Sequence, residues 1–405
     1  MFQYKDIAEK LDEYIYENLE EIVAISDWIA EHPELGHQEY EASRVLCEAL
    51  EKENFTVGRP YAEHATAFNA FFKNGEGDAP TIGFLAQYDA LPEVGHGCGH
   101  NMCGPISVLA ARALKHVLEE KNIPAKIRVI GTPAEETTGE KVPMAKAGLF
   151  DDCDLVLMAH PESGSSFIGI NSLAVDPYEF TFIGKSAHAA ASPWEGKNAL
   201  NGLQLFLHAV DMLRQHIRPE ARMHGIITEG GAAPNIVPSK AAARLLIRAP
   251  WRGYLDEIVE KVFDCARGAA MATQTEVSWS KCGYSMDNVL PNPTGKRMLK
   301  EIMEKEVGEP INDHPSLTGS TDMGAISWRV PTLELLICVS EQEIAPHTAD
   351  FAQACRGDRA KSALCKAARG LARAGLKTIL DETLRKKMKE DLEEQKRLQL
   401  QEFNK

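Results

Sequence analysis

Four short apolar runs constrain this chain most: Thr81–Ala86, Ile127–Gly131, Leu155–Met158 and Leu333–Val339. Each has the length of a buried strand rather than of a helix. After the first, Ile106, Leu109, Ala110, Ala113, Leu114, Val117 and Leu118 recur at helical spacing, and a helix near 141–150 separates the second run from the third. Strands that alternate with helices predict a mostly parallel sheet lying between helices, the α/β class. Sheets of that kind carry their sites beyond the carboxyl ends of the strands. Upstream, helical patterns over 4–31 and 38–53 flank the turn His32-Pro33-Glu34-Leu35-Gly36.

Between 174 and 283 the rhythm changes. Strand (178–184), helix (197–216), strand (222–229), strand (240–248), helix (254–271) and strand (274–281) follow one another. That β-α-β-β-α-β order predicts a ferredoxin-like α+β domain. At 405 residues the chain exceeds what one core usually supports, so two domains are expected. A discontinuous catalytic domain would span 1–173 and 284–405, with 174–283 inserted into it. The stretch from 376 onward, charged with both signs and lacking a heptad, reads as a solvated helix that frays at its end.

Composition narrows the partners. A net charge of −15 argues against nucleic acid and anionic membranes, both of which attract cationic surfaces. No run reaches the roughly 20 apolar residues of a membrane span, and the opening residues are acidic and amphipathic, unlike a signal peptide. Nine cysteines, an odd number scattered along the chain, do not form a disulfide framework. A small molecule or another protein is the expected partner, and the cytoplasm the expected location.

Each strand end then supplies a residue of metal-ligand type. Cys98 and His100 lie on the glycine-rich turn GHGCGHNMCG, where a tight backbone can aim a thiolate and an imidazole at one point. Glu135 and Glu136 follow the second strand in GTPAEETTGE, so one carboxylate could bind a metal while its neighbour takes a proton from water. His160 ends the third strand, and His347 sits in the loop after the fourth. A thiolate, three imidazoles and a carboxylate exceed the needs of one tetrahedral zinc with an open position. Two metals with a shared ligand fit better, and such a pair suits amide hydrolysis.

The motifs YDALPEVGHGCGHN, GTPAEETTGE, MAHPE, GKSAHAA, GAAPNIVP, GSTDMG and APHTADF occur in that order. Together they resemble the aminoacylase and carboxypeptidase-type dinuclear metallopeptidases. The likeness is greatest to the p-aminobenzoyl-glutamate hydrolase and amidohydrolase-like dipeptidase subgroup. The resemblance implies Cys98 as a metal-bridging ligand, with His100, Glu136, His160 and His347 as the other ligands. It implies Glu135 as general base and Asp89 as the group that orients a histidine ligand. It also implies that His188 of the inserted domain reaches a partner subunit's site and steadies the oxyanion, which makes that domain a lid and a homodimerisation surface. Asn235 and Arg248 resemble substrate-facing positions. The turn Gly319–Gly324, with Ser320 and Thr321, could hold a substrate carboxylate.

Plainer readings stand beside these. His188 could be an interface histidine, Asn235 a turn residue, Arg248 a surface charge, and the 319–324 turn a helix cap. Many relatives carry a histidine where this chain has Gln87, so that position is not expected to bind metal. His96 and Cys103 read as turn and packing residues. The expected reaction is hydrolysis of N-acyl-, N-aroyl- or aminoacyl-amino acids with two divalent ions. Zinc is favoured by the thiolate and imidazoles, while manganese or cobalt is compatible with the carboxylate. The alternatives are a dipeptidase for β-alanyl or basic dipeptides and a metal-stabilised binding protein without turnover.

Overall fold

The computed structural model describes residues 4–313 and 319–402. It opens with helices α1 (Tyr4–Glu31) and α2 (Tyr40–Glu51), then strands β1 (Thr56–Gly58), β2 (Phe68–Asn74) and β3 (Thr81–Ala86). Helix α3 (His100–Glu120), strand β4 (Ala125–Gly131), helix α4 (Lys141–Lys146), strand β5 (Leu155–Ser163) and strand β6 (Phe167–Ile168) follow. The chain then builds β7 (Ala174–Ile183), α5 (Ala199–Leu213), β8 (Arg222–Glu229), β9 (Lys240–Ala249), α6 (Arg252–Thr273) and β10 (Glu276–Lys281). It ends with α7 (Pro293–Glu301), α8 (Met323–Ser327), β11 (Thr332–Ser340), α9 (Ala349–Ala354), α10 (Gly357–Leu380) and α11 (Glu382–Glu402).

Two compact units result. The first runs to Asn171 and resumes from Val289 and again over Asp322–Arg397; the second is built on Ser172–Asn288 together with 319–321. In the first unit a seven-stranded sheet has the order β1-β2-β4-β3-β5-β11-β6. Its central strands β4, β3, β5 and β11 are parallel, and the pairings of β1, β2 and β6 are antiparallel.

The apolar runs divide by alternation, as strand geometry requires. Phe84, Val129, Leu157 and Leu335 face the core built with α1, α3 and α10. Leu85, Ile130, Val156 and Met158 face a smaller core with Met144, Met323 and Ile326. A parallel sheet covered on both faces needs such unbroken hydrophobic strands. Helix α3 is buried along nearly its whole length, packed against α1, α10 and the sheet, and its first residue is His100.

In the second unit an antiparallel sheet of order β10-β7-β9-β8 packs against α5 and α6. Its core includes Phe180, Phe182, Leu203, Phe206, Ile258 and Val262.

The structure departs from the sequence pattern in several places. The helix expected near 141–150 stops at Lys146, where Gly148 takes a positive φ. Residues 376–380 are the last turn of the buried helix α10 rather than part of the charged tail. Helix α11 is docked: Met388 and Leu392 are buried, Asn292 donates to the Met388 carbonyl, and Lys389 pairs with Asp154. Its apolar positions are too few to stand out against the surrounding charge. Strands β1, β2 and β6 are short or mixed in composition and do not stand out as apolar runs.

Helices α1 and α10 are joined by a charge cluster in which Asp12 accepts from Arg369 (2.6 Å) and Arg373 (2.8 Å). Burial opposes ionisation of Asp12, but the two arginines outweigh it and hold its pKa below the usual carboxylate value. Removing one partner from a buried pair typically costs about 3–5 kcal/mol. We expect Asp12→Ala to lower unfolding free energy at pH 7 by about 3 kcal/mol in urea denaturation. Because the folded-state pKa is depressed, that contribution is complete above the unfolded value of about 3.9 and fades as pH falls below it. The gap between wild type and variant should therefore narrow at about pH 3.

Candidate metal centre

Gly99 makes the turn into α3 possible. It has φ of +80°, and a Cβ there would lie 2.7 Å from Pro161 and 2.8 Å from the Cys355 sulfur. This turn sets Cys98 and His100 next to the end of β5. Cys98 Sγ lies 3.6 Å from His160 Nε2. The other nitrogen of His160 bonds the Pro161 carbonyl at 2.7 Å, so Nδ1 carries the proton and Nε2 keeps its lone pair. Burial, with His100 nearby, brings the His160 pKa down to about 3, which keeps the ring neutral and ligand-ready.

Glu136 faces the same point from the loop after β4. Its Oε1 is 3.9 Å from His100 Nε2 and 3.5 Å from His347 Nε2, and it is buried without a hydrogen-bond partner. His347 arrives with φ of +63°, its loop tied to the metal turn by a bond from its N–H to the Gly97 carbonyl. Ligand atoms of Cys98, His100 and His160 lie within 4.8 Å of one another, and so do those of Cys98, Glu136 and His347. Two trios thus share the Cys98 sulfur.

This donor set fits metal ions. Burial, then Glu136 and Glu135, raises the Cys98 thiol well above its ordinary pKa, a condition that a cation on the sulfur reverses. The orphaned Glu136 oxygen calls for the same charge. Asp89 braces the arrangement: Oδ1 accepts from His100 Nδ1 at 3.0 Å and Oδ2 from the Glu136 N–H at 2.8 Å.

Two influences oppose each other at His100. Burial disfavours charge on the ring, but Asp89, Glu135 and Glu136 outweigh it and lift the pKa to about 9. Against that, Lys141 Nζ donates to Gln87 Oε1 at 2.6 Å, which turns the amide NH2 toward His100 Nε2, also at 2.6 Å. That contact requires a ring with no proton on Nε2. We take the ring as neutral, because an ammonium only donates and leaves the amide no other orientation. The carboxylates' demand for positive charge then suits a metal ion on the same lone pair.

Glu135 belongs to a third such group, with His100 and Glu136. Burial and then Asp322 raise its pKa from the ordinary carboxylate value toward neutrality, and Lys141 limits the rise. A carboxyl group poised near neutrality is suited to proton transfer.

The remaining expected residues lie in the second unit. His188 and Asn235 are exposed and adjacent, joined by a His188–Ile236 bridge and by the Ala189 N–H on the Asn235 carbonyl. Nδ1 of His188 accepts from the N–H groups of Ala190 (3.3 Å) and Ala191 (3.1 Å), which leaves Nε2–H as the ring's donor. Arg248 donates to Ser320 Oγ at 2.8 Å, and no carboxylate pairs with it among the described residues. Thr321 is half-buried next to Ser320.

Three residues escape sequence reasoning. Lys141 is wholly buried and pairs with Asp322 at 2.8 Å, and together they hold Gln87. A lysine in a glycine-flanked polar loop gives no sign that it points inward, and Asp322 reads in sequence as part of an anion-binding turn. His96 occupies the turn as expected, but its burial, which lowers its pKa to about 3, is not legible in the sequence. Cys103 is a packed thiol, as expected.

Residues 83–373 match the model of peptidase family M20/M25/M40. Human Xaa-Arg dipeptidase is 34% identical over 409 residues, covering 96% of this chain and 92% of its own length. A p-aminobenzoyl-glutamate hydrolase polypeptide of Escherichia coli K12 is 34% identical over 319 residues, covering 74% of this chain and 65% of its own. Among solved structures, an aminobenzoyl-glutamate utilization protein from Klebsiella pneumoniae superposes with a TM-score of 0.70 at 20% identity, covering 91% of this chain and 98% of that one. A dinuclear metal-binding peptidase from Bacillus subtilis does so with 0.67 at 18%, covering 90% and 99%. At these identities the structural likeness shows the fold.

Because Cys98 belongs to both trios, Cys98→Ala should reduce metal at both positions, whereas His347→Ala should spare one. Elemental analysis of protein recovered after gel filtration measures this. Equal losses in the two variants would contradict a shared sulfur.

Proposed function

Since the chain belongs to peptidase family M20/M25/M40, we propose that it cleaves the amide bond joining an acyl or aminoacyl group to an amino acid that bears a free carboxylate. The protein is a metal-dependent amide hydrolase. The observation that carries the reading is the pair of ligand trios meeting at Cys98 with Glu135 beside them. In the proposed assignment Cys98, His100, Glu136, His160 and His347 hold two divalent ions, zinc before manganese or cobalt. When bound, such ions supply Lewis acidity toward the amide carbonyl and acidify a water.

The chain's own groups do the rest. Glu135 takes the proton of the attacking water and returns it to the leaving amine. Asp89 orients the His100 ring. Arg248, which has no acid of its own among the described residues, binds the substrate carboxylate with Ser320 and Thr321, and Asn235 contacts the substrate. His188 donates from Nε2 to the developing oxyanion in the partner subunit's site. The second unit is thereby a lid and a dimerisation surface. Its edge strand β8 leaves Ile226 and Ile227 exposed at 66% and 48%, an apolar strand edge of the kind that pairs with another copy. Nine unpaired thiols suit the cytoplasm.

The near full-length match to Xaa-Arg dipeptidases favours a dipeptide substrate over an acyl-amino acid. Parallel panels of dipeptides with basic C-terminal residues and of N-acyl-amino acids decide between them by kcat/KM. Glu135→Gln should lower kcat by about 10²–10⁴ with bound metal retained. A variant that keeps wild-type turnover would remove Glu135 from its role. His188→Ala and Glu135→Ala, each inactive alone, should regain activity when mixed as heterodimers. If mixing restores nothing, His188 does not act across subunits.

A further inference from the structure

The hydrogen-bond chain behind His100 has a consequence for metal loading, and it rests on the assignment of His100 as a metal ligand. Asp322 Oδ1 accepts from Lys141 Nζ at 2.8 Å and its Oδ2 from the Lys141 backbone N–H at 3.2 Å, so the lysine is held at both its backbone and its ammonium. Lys141 grips the Gln87 carbonyl, and the Gln87 amide donates to His100 Nε2. Lys141, Asp322 and His100 are fully buried, and Gln87 is 1% exposed. The amide therefore has no solvent to swing into, and turning it over would set its NH2 against the ammonium.

A ring nitrogen has one lone pair, in one direction. With Nδ1–H committed to Asp89, the Nε2 pair accepts from Gln87 or binds a metal, and it does not do both. We propose that Gln87, held by the Lys141–Asp322 pair, is a placeholder on His100 that a metal ion must displace, and that it lowers metal affinity at the Cys98/His100/His160 position alone. The contact satisfies an acceptor that would otherwise be buried without a partner while the metal is away. The Cys98/Glu136/His347 position has no such competitor among the described residues.

The test isolates each position in the full-length protein and measures zinc affinity by competition with a chromophoric chelator. His347→Ala retains the Cys98/His100/His160 trio, and His160→Ala retains Cys98/Glu136/His347. Gln87→Met keeps the volume and removes the donor. In the His347→Ala background it should tighten zinc about fivefold, the factor corresponding to one neutral hydrogen bond. In the His160→Ala background it should change nothing. Gln87→Asn, too short to reach, should act in the same direction and serves if the methionine variant does not fold.

Unchanged affinity in the first background, or equal shifts in both, overturns the proposal. So does weakening by about tenfold or more, the usual result of removing a residue that supports a ligand. Wild-type protein that holds neither zinc, manganese nor cobalt would overturn the assignment of His100 as a metal ligand as well, whereas tight zinc indifferent to Gln87 overturns the placeholder alone.

Discussion

The carboxylate of Asp89 is the contact on which the rest of the centre depends. One oxygen fixes the His100 ring at the start of α3, and the other holds the backbone of the loop that carries Glu135 and Glu136. A single side chain after β3 thereby joins the ends of two parallel strands and the head of the central helix. Burial opposes its charge, yet His100, the Glu136 N–H and Lys141 hold its pKa below the ordinary value. A carboxylate kept ionised in a closed site holds its hydrogen bonds more strongly than a neutral group would.

The loop 132–141 is gripped elsewhere in the same way. Glu39, fully buried, accepts from the Ala134 N–H at 2.8 Å and from Thr66 at 2.9 Å. Asp322 accepts from Lys141 at the loop's far end. Ala134 has a positive φ of 55°, an unusual conformation for a residue with a side chain, and these outside acceptors maintain it. Three acidic residues from different parts of the chain thus fix a loop whose own sequence is small and polar. Rigid support of this kind lets a loop present a general base reproducibly. A wide groove of about 780 Å³ along α11, lined by Asp78, Asp154, Arg385 and Lys389 among others, includes none of Cys98, His100, Glu136, His160 and His347. Chemistry, and not size, marks the centre.

Much of this was legible beforehand. The four apolar runs became β3, β4, β5 and β11, because a strand buried on both faces must be apolar throughout and so announces itself. Strands β1, β2 and β6, toward the sheet's margins, did not, since they are short or mixed in composition. Cys98, His100, Glu136, His160 and His347 were recognisable as ligand types at strand ends, and the structure brings them within reach of one another. Helix α11 was misjudged because its buried face is narrow, with Met388 and Leu392 among charges.

Sequence by itself determined the central strands, the parallel sheet and the residue types that meet at its carboxyl edge. Hydrophobic periodicity is local, and metal-ligand chemistry is written in residue identity. Tertiary structure alone decided which contacts those residues make. That Lys141 turns inward to Asp322, that Gln87 faces His100, and that His160 presents Nε2 rather than Nδ1 all depend on partners 13 to 181 residues away or on a backbone carbonyl. The direction of a proton or a lone pair is a property of the packed neighbourhood, and no local pattern encodes it.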